Sequence, residues 1–336
     1  MQTMVSDATA DSVTLPPLQE LSEDDLAQYD VIASPAGTAA KRLAIHEAPL
    51  VSPGTGVRAV FRLAGYLGIT IAMAPVQGLA LALRVRPLYR RIPRVYHRMC
   101  CRILGLRLTV RGKRHKKGPV LFVSNHISYL DIGVLGALIP GSFVAKAEIS
   151  GWPVFGWLAK MQRTDFVDRQ RRSTAGQRDS LSSRLDQGDS LILFPEGTSS
   201  DGNRVLPFKS ALFSVAALRP HDKPLMVQPV SIAYTRLDGM PIGRNVRPFF
   251  AWYGDMEMHD HLWDMARLGV CDVEVRYHAP VTLEMFANRK AMAEHCHALI
   301  SQSVSRANAG REDSVEPPEG QDDGTADGDD ANASSS

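Results

Sequence analysis

The segment VSNHISYLD, residues 123–131, places several polar side chains directly after an apolar run. His126 and Asp131 lie on either side of an expected turn into a helix. At this spacing the Asp131 carboxylate reaches one imidazole nitrogen and orients the ring, which leaves the other nitrogen able to accept a proton from a substrate hydroxyl. The pattern therefore predicts general base catalysis. The alternative is an ordinary helix start, capped by Asn125 or Ser128, with Asp131 solvated.

A second polar group follows another apolar run, in the segment FPEGTSSDG at residues 194–202. Its proline cannot donate to a sheet, so the strand is expected to end there and Glu196, Gly197 and Thr198 to form a tight turn. Backbone amides and a hydroxyl in such a turn suit a phosphate or a diol, with Glu196 accepting from a hydroxyl. Lys209 is a further candidate phosphate ligand. The alternatives are a plain β-turn and a surface lysine.

These groups lie at the ends of predicted strands. From residue 106 the chain alternates between short apolar runs, typical of strands, and longer segments typical of helices. Strands are predicted at 106–111, 119–124, 142–147, 165–169, 190–195, 225–234 and 271–283, and helices at 129–138, 152–162, 171–187, 210–219 and 284–305. This order predicts an α/β fold with a mixed, largely parallel sheet flanked by helices. If the strands are parallel neighbours, their polar ends, including a third at 166–169, meet at one edge.

Charge is unevenly distributed along the 336 residues, 44% of which are hydrophobic. Residues 1–56 and 306–336 are rich in acids and small residues and are predicted to be disordered terminal regions. Between 57 and 310 the chain holds 35 basic and 19 acidic residues, which predicts an anionic partner. The catalytic domain is expected at 106–305. The four cysteines show no metal-ligand spacing and are expected to be reduced thiols, and no cleaved signal peptide is expected.

Residues 57–105 are expected to anchor the protein to a membrane. The stretch 63–83 carries no charge and is long enough to cross a bilayer, although Pro75 could divide it into two half-length helices that dip into one leaflet. Residues 84–117 contain thirteen Lys and Arg and no acid, which predicts a basic interfacial helix on the cytoplasmic side. Alternatives are a buried core helix for the first stretch and nucleic-acid binding for the second. The uncharged neighbouring stretch argues against nucleic acid.

The order of four short motifs resembles that of the glycerolipid acyltransferase family. The motifs are His126-x4-Asp131, Phe166-Val167-Asp168-Arg169, Phe194-Pro195-Glu196-Gly197-Thr198 and Val227-Gln228-Pro229-Val230. This family includes 1-acylglycerol-3-phosphate acyltransferases of the PlsC type and lyso-ornithine lipid acyltransferases. The resemblance covers roughly residues 57–240 and includes the membrane segment with its basic helix.

The resemblance implies a role for each motif. His126 would deprotonate the acceptor hydroxyl, Asp131 would orient it, and the hydroxyl would attack the thioester of acyl-CoA or acyl-carrier protein directly. Asp168 and Arg169 would help bind the acceptor head group, and Glu196, Gly197 and Thr198 would bind the acceptor near its hydroxyl. The fourth motif, with Pro229, would shape the acyl-donor pocket. No metal or resident cofactor is implied, and the enzyme would work at the cytoplasmic face of the inner membrane.

One departure bears on the acceptor. Phosphatidate-forming members usually carry an Arg where this chain has Ser199, so the sequence resembles the lyso-ornithine lipid branch more closely. Arg163, Arg171, Arg172, Arg204 and Lys209 would still supply positive charge, and lysophosphatidate remains open as an acceptor.

Two rival functions are also compatible with parts of the sequence. A GDSL-type esterase would use Ser190 of the sequence GDSL as nucleophile, and a non-enzymatic membrane-surface protein would not need His126.

Overall fold

The computed structural model describes residues 55–167, 175–254 and 256–311. Most of the predicted terminal regions, and the segment that holds Asp168 and Arg169, therefore lie outside the described residues. The boundaries at 56 and 306 fall slightly inside helices, because the first helix begins at Thr55 and the last ends at Asn308.

The described elements alternate much as the sequence predicts. The helices are α1 (Thr55–Ala82), α2 (Arg86–Leu104), α3 (Leu130–Leu138), α4 (Phe155–Met161), α5 (Ala175–Asp186), α6 (Met258–Arg267) and α7 (Arg289–Asn308). The strands are β1 (Leu106–Arg111), β2 (Val120–Ser124), β3 (Gly141–Lys146), β4 (Asp165–Val167), β5 (Ser190–Leu193), β6 (Met226–Leu237), β7 (Met240–Pro241) and β8 (Cys271–Tyr277). Short 3₁₀ helices connect them at Ala147–Gly151, Ser210–Ala217, Pro220–Asp222, Arg247–Phe249 and Leu283–Met285.

The strands form one mixed sheet in the order β1-β8-β6-β2-β5-β3-β4, with β7 paired to β6. Strands β6, β2, β5, β3 and β4 run parallel to one another, whereas β8 runs antiparallel to β6 and β1 runs parallel to β8. The carboxyl ends of the five parallel strands consequently share one edge of the sheet, called here the catalytic edge. The predicted α/β fold with a largely parallel sheet is confirmed.

Strand β2 shows why both faces of the sheet are covered. All of its residues are buried, and successive side chains point to opposite faces. Val120 and Phe122 belong to one hydrophobic cluster, which includes residues of α3 and β8. Leu121 and Val123 belong to the other, which includes residues of α5 and α7. The continuous apolar run read from the sequence is thus the signature of a strand buried on both faces.

Helices α1 and α2 are attached to the catalytic domain by specific polar contacts. The Arg62 guanidinium donates to the carbonyls of Leu268 and Gly269 just after α6, at 2.7 and 3.2 Å. Further along α1, the Gln77 amide donates to Met161 O at 2.8 Å and to Tyr89 O at 3.2 Å. The second contact satisfies a carbonyl that Pro93 leaves free, because proline has no N–H for the i→i−4 bond.

Several parts of the sequence-based assignment differ from the structure. The alternative that Pro75 divides its stretch into two helices is wrong, since α1 is continuous. The predicted helix at 210–219 is a 3₁₀ helix at Ser210–Ala217. The predicted strand at 271–283 stops at Tyr277. Helix α6 was not predicted from the sequence, although His261, Met265 and Ala266 form its buried face. All four cysteines are buried and free.

Candidate active site

His126 and Asp131 form a hydrogen-bonded pair at the catalytic edge. His126 follows β2, and Asp131 lies in the first turn of α3. The distance between His126 Nδ1 and Asp131 Oδ2 is 2.9 Å. Since a carboxylate can only accept, Nδ1 carries the proton and Nε2 presents its lone pair. This geometry is the one predicted from the sequence, and it suits a general base.

Asp131 is fully buried and accepts hydrogen bonds on both oxygens. Oδ2 accepts from the backbone amides of Ile127 and Ser128 at 2.6 and 2.9 Å, as well as from His126. Oδ1 accepts from the hydroxyl of Tyr234 at 2.9 Å. Tyr234 lies near the C-terminal end of β6. Burial and the neighbouring Asp131 raise the pKa of Tyr234 well above its usual value, so its hydroxyl stays protonated and remains a donor. Asp131 is thereby held in one orientation.

The imidazole of His126 is fixed by stacking as well. Its ring lies on the ring of Phe194, with centroids 4.1 Å apart and an interplanar angle of 15°. Phe194 directly follows β5, so the neighbouring parallel strands β2 and β5 supply both rings. About 21% of the His126 side chain is exposed, and the residue lines the main cavity described below. Nε2 has no hydrogen-bond partner among the described residues, which leaves it available to a substrate.

The turn after β5 is built as predicted, but Glu196 has different partners. The amide of Gly197, at a positive φ of 77°, donates to Phe194 O at 3.2 Å. The Glu196 side chain is buried, and its two oxygens accept from the backbone amides of His126 at 2.7 Å and Leu206 at 2.9 Å. Burial raises the pKa of Glu196 to about 8, although these two donors act in the opposite direction. The Glu196 carboxyl group therefore braces the His126 backbone, and both of its oxygens already have backbone partners, which differs from the expected role of accepting from an acceptor hydroxyl.

Two serines of the same loop connect it to the catalytic loop. The amide of Ser200 donates to His126 O at 2.9 Å, and its hydroxyl donates to the same carbonyl at 3.2 Å. The Ser199 hydroxyl donates to Trp252 O, and the Trp252 amide donates to Ile127 O at 3.0 Å. Ser199 thus takes part in a structural link between the two loops.

Asn125 has a structural role, but it binds the backbone of β6 and does not cap α3 as the alternative had it. Its amide nitrogen donates to Ile232 O at 3.0 Å, and its oxygen accepts from Ile232 N at 2.9 Å. This pair of bonds fastens the end of β2 to β6 where the strand ladder ends. The effect is to keep Tyr234, two residues further along β6, level with Asp131.

A cavity of about 270 Å³ opens next to His126. Its walls are mainly apolar and come from α1, α2, α3, α4, β3 and the segment around Trp252. Representative lining residues are Met73, Ala74, Ile92, Phe143 and Leu158. An apolar space that ends at a potential base can hold a hydrocarbon chain with its reactive end at the imidazole.

An aromatic group borders the cavity beside the base. Tyr129 donates a hydrogen bond to His261 Nδ1 at 2.9 Å, and His261 Nε2 donates to Phe249 O at 3.0 Å. Burial lowers the pKa of His261 to about 4, so this imidazole stays neutral and joins Tyr129 to the loop after β7. Trp252 lies edge-on to both Tyr129 and Trp152, at 6.0 Å in each case. No sequence motif indicated this group, because its members are far apart in the chain.

The remaining predicted residues fall in several places. Asp168 and Arg169 lie outside the described residues. Thr198 and Lys209 are exposed, and the Lys209 amide donates to Pro195 O at 2.9 Å. Pro229 is buried in β6 beside Val123 and does not line the main cavity, so its role in an acyl-donor pocket stays a prediction.

The geometry also bears on Arg163 and on the rival function that uses Ser190. The guanidinium of Arg163 is paired with Asp189 at 2.6 Å, and Arg90 of α2 binds the same carboxylate, so Arg163 is committed to a structural ion pair. Ser190 begins β5, where its hydroxyl accepts from Val120 N at 3.2 Å. It lies at the opposite edge of the sheet from His126, which excludes a Ser190–His126 esterase pair.

A metal centre has little support among the described residues. The ligand atoms of Glu257, His259 and Asp260 lie within 4.8 Å of one another. All three side chains are exposed, and exposed acidic groups often cluster in this way without an ion. We therefore assign no metal to them.

Comparisons with known proteins agree with this geometry. A family model described as Acyltransferase matches residues 107–233. A lyso-ornithine lipid O-acyltransferase of Brucella abortus (strain 2308) is 44% identical over 260 residues, which cover 76% of this chain and 97% of that protein. A second lyso-ornithine lipid O-acyltransferase, of Rhizobium meliloti (strain 1021), is 40% identical over 247 residues, covering 72% of this chain and 84% of that protein.

Other relatives carry a different name. A 1-acyl-sn-glycerol-3-phosphate acyltransferase of Neisseria gonorrhoeae is 30% identical over 209 residues, covering 61% of this chain and 78% of that protein. The crystal structure of the 1-acyl-sn-glycerophosphate acyltransferase PlsC from Thermotoga maritima is similar in fold, with a TM-score of 0.52 and 21% identity. The similarity covers 74% of this chain and 95% of that one.

Proposed function

The chain belongs to the glycerolipid acyltransferase family and is an acyltransferase, and from this premise we propose that it transfers an acyl chain from a thioester to the hydroxyl of a lyso-lipid. The observation that carries the proposal is the position of His126. Its Nδ1 is bound to the buried Asp131, and the residue lines an apolar cavity. The pair supplies a base, and the cavity supplies space for the hydrocarbon part of a lipid substrate.

The proposed reaction is direct attack by the acceptor. His126 Nε2 takes the proton of the acceptor hydroxyl while its oxygen attacks the thioester carbonyl carbon. The tetrahedral intermediate collapses, the C–S bond breaks, and the imidazolium returns the proton to the thiolate. Asp131 stabilises the imidazolium that forms between these steps. The products are an ester and a free thiol, and no resident metal or cofactor takes part, because the thioester already carries the activated acyl group.

We propose lyso-ornithine lipid as the preferred acceptor and lysophosphatidate as the second. The relatives from Brucella abortus and Rhizobium meliloti, named for the first acceptor, match this chain at higher identity and coverage than the Neisseria gonorrhoeae relative named for the second. The Ser199 hydroxyl donates to Trp252 O and so holds a loop in place, and it offers no positive charge to a phosphate. This contact supports lyso-ornithine lipid as the preferred acceptor. The exposed Lys209 supports the second acceptor. Asp168 and Arg169 remain proposed head-group ligands, and the thioester carrier is acyl-carrier protein or CoA.

We also propose attachment to the cytoplasmic face of the inner membrane. By length and composition α1 is able to cross a bilayer, with a mean hydropathy of 1.6 in its most apolar window. Arg62 and Gln77, in opposite halves of α1, both bond to the catalytic domain. These contacts favour α1 lying along the domain with its outer face in one leaflet. The exposed cations Arg86, Arg91 and Arg102 of α2 would face anionic lipid head groups on the cytoplasmic side.

A factorial assay tests the proposal. The purified protein in anionic vesicles would receive radiolabelled acyl-carrier protein or acyl-CoA, each with lyso-ornithine lipid or lysophosphatidate. We expect labelled diacyl product with at least one donor, and a kcat/KM for lyso-ornithine lipid about tenfold higher than for lysophosphatidate, as one charge-assisted contact would produce. Release of free fatty acid in place of either lipid product would overturn the proposal.

A further inference from the structure

An exposed apolar segment lies beside the cavity, and the reaction does not use its outward-facing side chains. Residues 152–157 have the sequence WPVFGW and are called here the aromatic segment. Val154 is 63% exposed and Trp157 is 51% exposed, and Trp152 and Phe155 are also exposed. Side chains of this size are normally buried, so a contiguous exposed group indicates a contact surface.

The backbone of the aromatic segment is held in an unusual conformation. Val154 has a φ of 62° and a ψ of −57°, a region that β-branched residues rarely adopt. The conformation is fixed on both sides, since Gly156 N donates to Trp152 O at 2.9 Å and Leu158 N donates to Val154 O at 2.9 Å. At Gly156 a Cβ atom would come within 2.6 Å of Ser150 O, so only glycine permits this turn. The chain thus maintains a strained turn that keeps an apolar side chain in solvent.

The aromatic segment lies between the cavity and helix α1. Trp152 and Phe155 line the cavity next to His126. At the other end of α4, Met161 O accepts from Gln77 of α1, and the Met161 methyl lies 3.4 Å from where a Cβ of Gly78 would be. Neighbouring residues of α1 include the exposed Val76, Leu79 and Leu83. The apolar surface therefore extends from the outer face of α1 to the rim of the cavity.

The charges around the aromatic segment fit an anionic lipid surface. Residues 149–164 contain no acid, and their charged residues are Lys160 and Arg163. Lys160 is exposed and lies one helical turn from Trp157. Tryptophan with a nearby lysine is typical of side chains at the boundary between hydrocarbon and head groups.

We propose that the aromatic segment inserts into the same leaflet as α1 and forms the bilayer-facing rim of the cavity. A lyso-lipid then reaches His126 by lateral movement from the leaflet and does not have to leave the membrane. This inference rests on the proposed function for its substrate. The insertion itself is measured without catalysis, so the two can fail separately.

Site-specific fluorescence tests insertion. Because all four native cysteines are buried, Val154→Cys can be labelled selectively with an environment-sensitive fluorophore. Met285→Cys is the matched control, since Met285 is 66% exposed. Met285 belongs to a short helix at the opposite edge of the sheet from His126, just after the bridge between Val281 and Val227. In anionic vesicles with brominated acyl chains, the label at 154 should shift to the blue and be quenched, and the label at 285 should remain as in water. Equal behaviour of the two labels overturns the proposal.

A kinetic comparison tests the role in substrate access. Val154→Asp combined with Trp157→Asp should lower kcat/KM for a lyso-lipid embedded in vesicles on the order of tenfold, since carboxylates replace apolar side chains in hydrocarbon. Activity in detergent micelles should stay within about twofold of wild type. Met285→Asp should match wild type in both media. An equal loss in vesicles and micelles contradicts a membrane role. If the label at 154 inserts but the wild-type protein transfers no acyl group, the proposed function fails and the insertion stands.

Discussion

The catalytic centre and the apolar cavity meet at His126 but are held together in different ways. The centre is a set of directional hydrogen bonds among His126, Asp131, Tyr234 and Glu196, all from the sheet and its connections. The cavity is enclosed mostly by apolar side chains, many of them from α1, α2 and residues 252–262, outside the segment that the family model matches. The difference indicates that the hydrogen-bonded centre depends on the sheet and its connections, whereas the shape of the cavity depends on helices outside the segment that the family model matches.

Replacing His126 should have the largest effect and should leave the cavity intact. In His126→Ala the proton acceptor is lost, and we expect kcat to fall on the order of 10³-fold with membrane association unchanged. His295→Ala, on an exposed face of α7, is the control. Turnover of purified protein and co-sedimentation with vesicles provide the two measurements. Wild-type turnover in His126→Ala would show that another group is the base.

Asp131→Asn should be the next most harmful change. The amide group can present N–H to Nδ1 and so disfavour the tautomer with a free Nε2, and we expect kcat to fall on the order of 10²-fold. Thermal unfolding in detergent should be measured in parallel, because Asp131 also accepts two backbone amides. A loss of activity that only parallels a loss of folded protein would contradict an orienting role.

Tyr234→Phe separates positioning from base chemistry. The variant removes the hydrogen bond to Asp131 Oδ1 and keeps the ring that stacks on Phe250. We expect kcat to fall about tenfold, as for loss of one hydrogen bond to a charged group, with little change in KM. The pH dependence of kcat should also change, since the Asp131 carboxylate, which stabilises the imidazolium, has lost one hydrogen-bond donor. A raised KM at unchanged kcat would place Tyr234 in substrate binding instead.

A change in the cavity wall should affect donor choice and leave the centre untouched. Ala74 of α1 lines the cavity, so Ala74→Phe should lower kcat/KM for long acyl donors about tenfold while short donors react as with wild type. The matched control is Ala72→Phe, because Ala72 lies on the exposed side of the same helix. The kcat/KM of each variant is measured with acyl donors of increasing chain length. A uniform loss for all donors would indicate that the wall also positions the centre.

Glu196→Gln should have the smallest effect on activity, and its effect on the free energy of unfolding should depend on pH. The variant loses a hydrogen bond to one backbone amide, and the free energy of unfolding near pH 5 should fall by about 2 kcal/mol. In wild type the folded-state pKa is raised to about 8, so the folded protein binds the proton more tightly and loses stability as pH rises from about 5 to 8. Wild type should lose about 1.4 kcal/mol per pH unit over that range while the variant stays constant, so the difference between them should shrink and then change sign. Denaturation at several pH values measures this difference, and one that stays constant, or that moves in favour of wild type as pH rises, would contradict the raised pKa.

The sequence predicts what depends on neighbouring residues along the chain. The His126–Asp131 pair, the turn at Gly197 and the largely parallel sheet all follow from local spacing, turn chemistry and apolar runs. The sequence did not predict Tyr234, which meets Asp131 across 103 positions, or the Asn125 bonds to Ile232 across 107. Such contacts depend on strand order, and many strand orders are compatible with the same local patterns. The role expected of Glu196 changed for the same reason, because its partners lie at His126 and Leu206.

Direct attack by the acceptor on the thioester is the central claim, and rapid mixing tests it most directly. Wild-type protein in anionic vesicles would be mixed with a labelled acyl thioester, first without and then with lyso-ornithine lipid or lysophosphatidate. The account predicts that the thioester stays intact, with no label on the protein, until a lyso-lipid is added, and that diacyl product then forms as free thiol appears. Labelled protein or free fatty acid formed without acceptor, at a rate near that of turnover, would contradict it.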